Sequence, residues 1–163
     1  MQIKEALDLD QQSQQLFDAD QVDQAISELA DTVAEPIKDD FPLTIDYVHA
    51  TRYRLATLGR DVLWKAYPQN SLKNRHVIIV DDIFDQGYTL EEVKSYCMKQ
   101  GAKKCTSVFL IRKQHQRKRA DIEADFVALE CGDLYVYGSG MDLHSHFRNL
   151  SGIHAIPAEK SGR

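Results

Sequence analysis

The sequence predicts an α/β domain with a central, mainly parallel sheet flanked by helices. Three observations carry that reading. Val77-Ile78-Ile79-Val80 is the most hydrophobic run in the chain and suits a strand buried on both faces. Thr89 to Gln100 places Leu90, Val93 and Cys97 on one helical face, with Gly101 behind it as a C-terminal cap. Ser107 to Ile111 is a second apolar strand. Strand, helix and strand in succession imply a right-handed parallel crossover.

The other elements follow in order. Residues 1–17 are Gln- and Asp-rich and read as a loose lead-in. From Asp20, Val22, Ile26, Leu29 and Val33 recur three or four apart, which predicts an amphipathic helix. Asp18 or Asp20 suits its N-cap, and Pro36 should end it. Phe41 to His49 reads as a strand, with Leu43, Ile45 and Tyr47 alternating against Thr44, Asp46 and Val48. Residues 51–61 suit a loop, Val62-Leu63-Trp64 a return strand, and Pro68 to Asn74 a turn. Further strands are expected at Phe126–Leu129, Leu134–Tyr137 and Ile153–Ile156. With no internal repeat and no linker, residues 1–163 form a single domain.

Composition narrows the class. The 163 residues are 43% hydrophobic and 28% charged, which excludes collagen-like, coiled-coil and wholly disordered chains. No apolar run nears the roughly 20 residues that span a bilayer. The opening MQIKEALDLDQQSQQ lacks a cationic stretch before an apolar core, so neither a membrane partner nor a secretory signal is expected. Cys97, Cys105 and Cys131 form no CxxC pair, and a reducing cytoplasm is the natural location. The net charge of −5 hides an asymmetry. Twelve acids face Lys4 and Lys38 in residues 1–50, whereas residues 51–163 carry eighteen Lys and Arg against thirteen acids. The basic part is suited to an anion.

Chemistry concentrates in HVIIVDDIFDQGYTLEE, residues 76–92. Asp81 and Asp82 follow the apolar strand, and Gly87 lies in the turn before the helix. The carboxyl end of a central strand is where open α/β sheets bind ligands. The loop Asp85-Gln86-Gly87-Tyr88-Thr89 would aim backbone N–H groups and a helix N-terminus at a phosphate. Gly87 permits close approach or a positive φ, and Thr89 can cap the helix or bond a phosphate oxygen. Asp81 and Asp82 can accept from vicinal ribose hydroxyls, or hold Mg²⁺ through oxygen and water.

VIIVDDIFDQGYTL resembles the phosphoribosyl-pyrophosphate-binding motif of the type I phosphoribosyltransferases, and the chain from about Phe41 to Pro157 is similar to the hypoxanthine/guanine phosphoribosyltransferases of purine salvage. The resemblance implies their fold, a parallel core with a small hood, and a role for each matching residue. Asp81 and Asp82 would bind the ribose hydroxyls, and Asp85 would be the general base near purine N7. Asp85, Gln86, Gly87, Tyr88 and Thr89 would hold the 5-phosphate. Lys113 in FLIRK would contact the purine 6-oxygen. In LYVYG, Tyr135 would stack on the base and the Val136 backbone would read its edge. Asp142 in SGMD matches a Mg²⁺ ligand, Arg148 in HFRN a pyrophosphate-binding arginine, and Tyr53 in TRYR the tyrosine of a loop that closes over the site. The substrates implied are phosphoribosyl pyrophosphate and an oxopurine, the cofactor Mg²⁺, and the assembly a homodimer or homotetramer.

One departure stands out. Family members carry a further buried strand, a pyrophosphate loop with a Gly pair, and a helix before the stretch resembling FPLTIDYVHATRYR. Here Lys38-Asp39-Asp40 runs almost directly into Phe41-Pro42, so roughly twenty residues are missing near positions 40–41. Either the full molecule carries that stretch, or the deletion is genuine and the chain binds nucleotide without catalysis. Two other features have bland readings. RKQHQRKR, Arg112 to Arg119, has five Lys and Arg in eight residues but no flanking aromatics, so a solvated loop is expected rather than a nucleic-acid patch. His144-Ser145-His146 lacks a third ligand of the right kind for zinc and suits surface or subunit contacts.

Overall fold

The computed structural model describes residues 2–38, 42–52, 62–117 and 121–157. Its core is a parallel sheet in the order β4 (His76–Phe84), β5 (Lys104–Lys113), β6 (Phe126–Cys131). The period-2 pleat of these strands sorts their apolar side chains onto two faces. Ile78, Val108 and Phe126 pack with Leu29, Val33 and Ile37 of α2 (Ala19–Ile37). On the other face, Val77 and Ile79 pack with Val93 and Cys97 of α3 (Tyr88–Lys99), and Phe109 and Val127 pack with its Leu90. Helices therefore cover both faces, as the sequence predicts.

An antiparallel sheet forms the hood, in the order β1 (Gln14–Phe17), β8 (Ile153–Pro157), β7 (Leu134–Tyr137). It meets the core sheet through a cluster in which Val136, Met141 and Ile153 pack with Ile111 and Val22. A hairpin of β2 (His49–Arg52) and β3 (Val62–Ala66) completes the described strands, with Ala50 and Trp64 packed in the cluster around Val93 of α3.

Several expectations are corrected. The stretch expected as a loose lead-in, residues 1–17, is ordered over its described residues 2–17, where it forms α1 (Ile3–Asp10) and β1. Glu5 accepts a hydrogen bond from the Gln2 backbone N–H at 2.9 Å, Ala6 is wholly buried, and β1 pairs with β8 at Gln14 and Ala155. Tyr137 donates its hydroxyl to Asp10 at 2.6 Å, and burial followed by this carboxylate partner raises its pKa. Tertiary partners from the distant C-terminal part outweigh a polar local composition. The long helix starts behind Asp18, whose carboxylate accepts from Gln21 N–H at 2.9 Å, and runs through Pro36 to Ile37. A proline at the penultimate position gives up one backbone bond but does not unwind the turn, and Ile37 is held by core packing. Ile26, expected on the apolar face, is 46% exposed, and Ala25 takes its place.

The strand expected at Phe41–His49 is absent over residues 42–48; pairing begins only at His49. Asp46 explains the local shape, since its Oδ2 accepts from the backbone N–H groups of Gln69 and Asn70, and its Oδ1 from Tyr47 N–H. These bonds hold its carboxyl below the usual range. The apolar alternation of Leu43, Ile45 and Tyr47 is left exposed, with no strand paired to it among the described residues. β4 also departs from expectation. It is longer than the apolar run and continues through Asp81 and Asp82 to Phe84; among the described residues it pairs along one edge only, while Val77, Ile78 and Ile79 are covered by helices on its two faces. Val80 is 75% exposed, the first of three exposed positions with Asp81 and Asp82 at which the helix packing seen at Val77, Ile78 and Ile79 has ended.

Candidate active site

The β4–α3 turn is built from its dihedral angles. Gly87 adopts φ 90° and ends the turn as the N-cap of α3. A Cβ there would lie 2.9 Å from Ile122 Cγ2, so both the backbone angle and the packing demand glycine. The helix begins at Tyr88, which places Thr89 inside its first turn and leaves the cap to Gly87, not Thr89. Asp81, Asp85, Gln86, Gly87, Tyr88 and Thr89 line one cleft over Phe109, with the N-terminus of α3 at its base. That arrangement turns the N–H end of the helix, with its positive partial charge, toward an anion.

Carboxylates crowd the rim. Asp81 Oδ1 accepts from the Asp82 backbone N–H at 2.9 Å. Partial burial, then the neighbouring Asp82 charge, push the Asp81 carboxyl up to about 6. Asp85 sits in the turn with its side chain 40% exposed, and its Oδ1 is hydrogen-bonded to Nε2 of His115. Lys113, two residues earlier at the end of β5, is buried.

The loop from Gly138 to Phe147 follows directly on hood strand β7. Ser139, His144, Ser145 and Phe147 all have positive φ, a concentration of strain typical of sites where geometry is over-determined by surroundings. At its centre, Asp142 Oδ2 accepts from Ser145 N–H at 2.6 Å and Oδ1 from Arg148 at 2.7 Å. Arg148 also donates to the Gly140 carbonyl at 2.6 Å. The two side chains expected to meet Mg²⁺ and pyrophosphate thus hold each other. Tyr135 is buried, donates to the Asp142 carbonyl at 3.0 Å, and has the His144 ring stacked on it at 5.8 Å and 14°.

Residues 22–145 match the phosphoribosyl transferase domain family. The chain belongs to that family. Within it, the chain is 30% identical over 122 residues to the hypoxanthine phosphoribosyltransferase of Haemophilus influenzae, covering 74% of this chain and 68% of that one. To the hypoxanthine-guanine phosphoribosyltransferase of Bacillus subtilis it is 28% identical over 159 residues, 83% of this chain and 88% of that one. Since 83% of 163 residues is about 135, about 24 of those 159 positions face no residue of this chain. The fold is that of a hypoxanthine phosphoribosyltransferase structure from Staphylococcus aureus, at TM-score 0.78 and 24% identity, over 90% of this chain and 92% of that one.

In this phosphoribosyltransferase the structure gathers Asp81, Asp85, Gln86, Gly87, Tyr88 and Thr89 around one cleft. Asp82 is exposed beside it in β4. Val136 lies in the same core cluster as Ile111, so the hood strand abuts the end of β5 that carries Lys113. Asp142 and Arg148 form a separate ion pair in the hood loop. Tyr53 lies outside the described residues. Within the basic run, Arg112 bonds Glu130 and Arg117 bonds Asp133 at 2.5 Å, while Lys118 and Arg119 lie outside the described residues. Sequence reasoning overlooked His115 in that run, since a histidine among cations signals nothing without the Asp85 contact.

Proposed function

We propose that this phosphoribosyltransferase acts in purine salvage, transferring the 5-phosphoribosyl group of phosphoribosyl pyrophosphate to hypoxanthine or guanine and releasing IMP or GMP and pyrophosphate. The cleft at the N-terminus of α3 carries this reading: glycine-capped N–H groups suit the 5-phosphate, and the acids of β4 suit a sugar's hydroxyls. In the transfer, purine N9 bonds to the anomeric carbon, the C–O bond to pyrophosphate breaks with its electron pair, and the N7 proton passes to Asp85. Lys113 donates to the 6-oxygen, which selects oxopurines over adenine, whose amino group would face a donor. Tyr135 packs against the base and the Val136 backbone reads its edge. Tyr53, outside the described residues, would by the same resemblance help to exclude water from the sugar cation.

The donor set suits Mg²⁺ as a substrate-borne ion. Asp142 offers hard carboxylate oxygens, and Mg²⁺ commonly takes one or two carboxylates with phosphate oxygens and water. When bound, the ion would offset charge on the departing pyrophosphate. Arg148 would exchange its Asp142 partner for the pyrophosphate, freeing the carboxylate. The described helices include none long and apolar enough to cross a membrane, and three free thiols suit the cytoplasm. A homodimer or homotetramer is the expected assembly.

The one-sided pairing of β4 and the gap against the Bacillus subtilis relative favour a second reading, a nucleotide-binding protein without turnover. An absorbance assay with phosphoribosyl pyrophosphate, Mg²⁺ and either hypoxanthine or guanine separates the two. Turnover supports the enzyme and means that the missing pyrophosphate loop is present in the molecule or replaced. Silence from a folded chain that still binds phosphoribosyl pyrophosphate supports the binder.

A further inference from the structure

We propose that His115 is a positioning residue for Asp85. Its Nε2–H holds one carboxylate oxygen and leaves the other to the base. This rests on the proposed role of Asp85 as proton acceptor. Asp85 occupies a turn and keeps 40% of its side chain exposed, so packing by itself leaves its carboxylate room to rotate. The His115 side chain, by contrast, is only 3% exposed, and its Nε2 meets Asp85 Oδ1 in a hydrogen bond. Its second nitrogen, Nδ1, is buried with no partner among the described residues.

That orphaned atom selects the tautomer. A proton on Nδ1 would be a buried donor without an acceptor, whether the ring were neutral or charged. If neutral with the proton on Nδ1, the ring would also aim the Nε2 lone pair at the carboxylate. With the proton on Nε2, the bond to Asp85 forms and only one lone pair goes unmet, the lesser cost. The assignment is a neutral Nε2–H donor and an ionised Asp85 acceptor.

The architecture anchors this donor well. His115 follows Lys113 by two residues at the end of β5, and Gln114 between them bonds through its backbone N–H to the Cys131 carbonyl at 2.8 Å. Arg117, two residues beyond, is tied to Asp133. One stretch of chain thus carries the lysine proposed for the 6-oxygen and the histidine that orients the proton acceptor. The logic reverses the serine-protease arrangement, in which a buried Asp orients a His.

The test compares His115→Leu with His115→Gln, whose amide N–H can reach the same oxygen. The Leu variant should lose roughly 10- to 100-fold in kcat, the range for orienting groups one shell out, with the KM for hypoxanthine within about twofold. The Gln variant should recover most of that loss. An unchanged kcat in a folded Leu variant, a defect confined to KM, or a Gln variant no better than Leu would each overturn the proposal. A second readout does not need turnover: ¹⁵N correlation spectra of the histidine-labelled chain. They should show His115 protonated on Nε2 alone, and Asp85→Asn should shift that nitrogen. A proton on Nδ1 overturns the assignment. Should the wild-type chain be silent in the assay, the enzymatic reading fails by itself, and the spectra still decide the His115–Asp85 bond.

Discussion

At the residue scale, the adjacent carboxylates of β4 illustrate how a site costs stability. Asp81 has its carboxyl raised from 3.8 to about 6, first by burial and then by Asp82. A raised acid binds its proton more tightly folded than unfolded, so its effect on stability has a definite sign. Below about pH 4 the group is protonated in both states and costs nothing. As pH climbs from about 4 to about 6 the unfolded chain ionises more readily, and stability falls. Asp81→Asn should therefore raise the melting temperature near pH 7.5 by roughly 2–4 °C, for about 1 kcal/mol after solvent screening, and leave it unchanged near pH 4. Thermal melts at the two pH values check this; a gain at pH 4 as large as that at pH 7.5 would refute the charge argument. The same substitution should weaken binding of phosphoribosyl pyrophosphate, because the amide replaces one carboxylate acceptor for the ribose hydroxyls. The pair was readable as chemistry from VDDIFD alone. Its energetic cost was not, because desolvation depends on what surrounds the strand end.

At the element scale, β4, the turn and α3 form the best-determined unit. Val77, Ile79, Leu90, Val93 and Cys97 fall on faces that their spacing predicts. Gly87 then decides how strand passes to helix. Gly87→Ala must accept φ 90° and a Cβ 2.9 Å from Ile122, whose branched side chain is itself packed in a core cluster. We expect a loss of about 1–3 kcal/mol, seen as a lower urea midpoint with unchanged slope, and weaker IMP binding by calorimetry. Tight IMP binding in that variant would mean the turn does not hold the phosphate. Other elements were misread for one shared reason. The alternation of Leu43, Ile45 and Tyr47 is a strand pattern, yet a strand needs an edge to pair with, and Asp46 instead gathers the amides of Gln69 and Asn70. Conversely, the apolar run of β4 is covered on both faces only as far as Ile79, and Val80 faces solvent because neither helix reaches it.

At the scale of the whole molecule, the hood joins the two ends of the chain. β1 pairs with β8 across nearly the full sequence, and the Tyr137 hydroxyl reaches Asp10. Tyr137→Phe keeps the ring in its cluster with Leu143 and Ile156 but removes a hydrogen bond to a carboxylate. It should cost about 1.5–3 kcal/mol in urea unfolding, with increased amide exchange in α1. A loss near zero would show that Asp10 does not hold α1 to the hood. Local sequence was enough for the parallel β4–α3–β5 unit, for the glycine turn and for the acids beside it, because hydrophobic period and backbone sterics act within about twenty residues. The tertiary structure alone decided that residues 3–17 are ordered, that β4 pairs along one edge only among the described residues, that Asp142 and Arg148 pair, and that His115 meets Asp85. Each of those depends on groups distant in the chain or on burial that no local pattern encodes, and their energies arise only when folding brings those groups into contact.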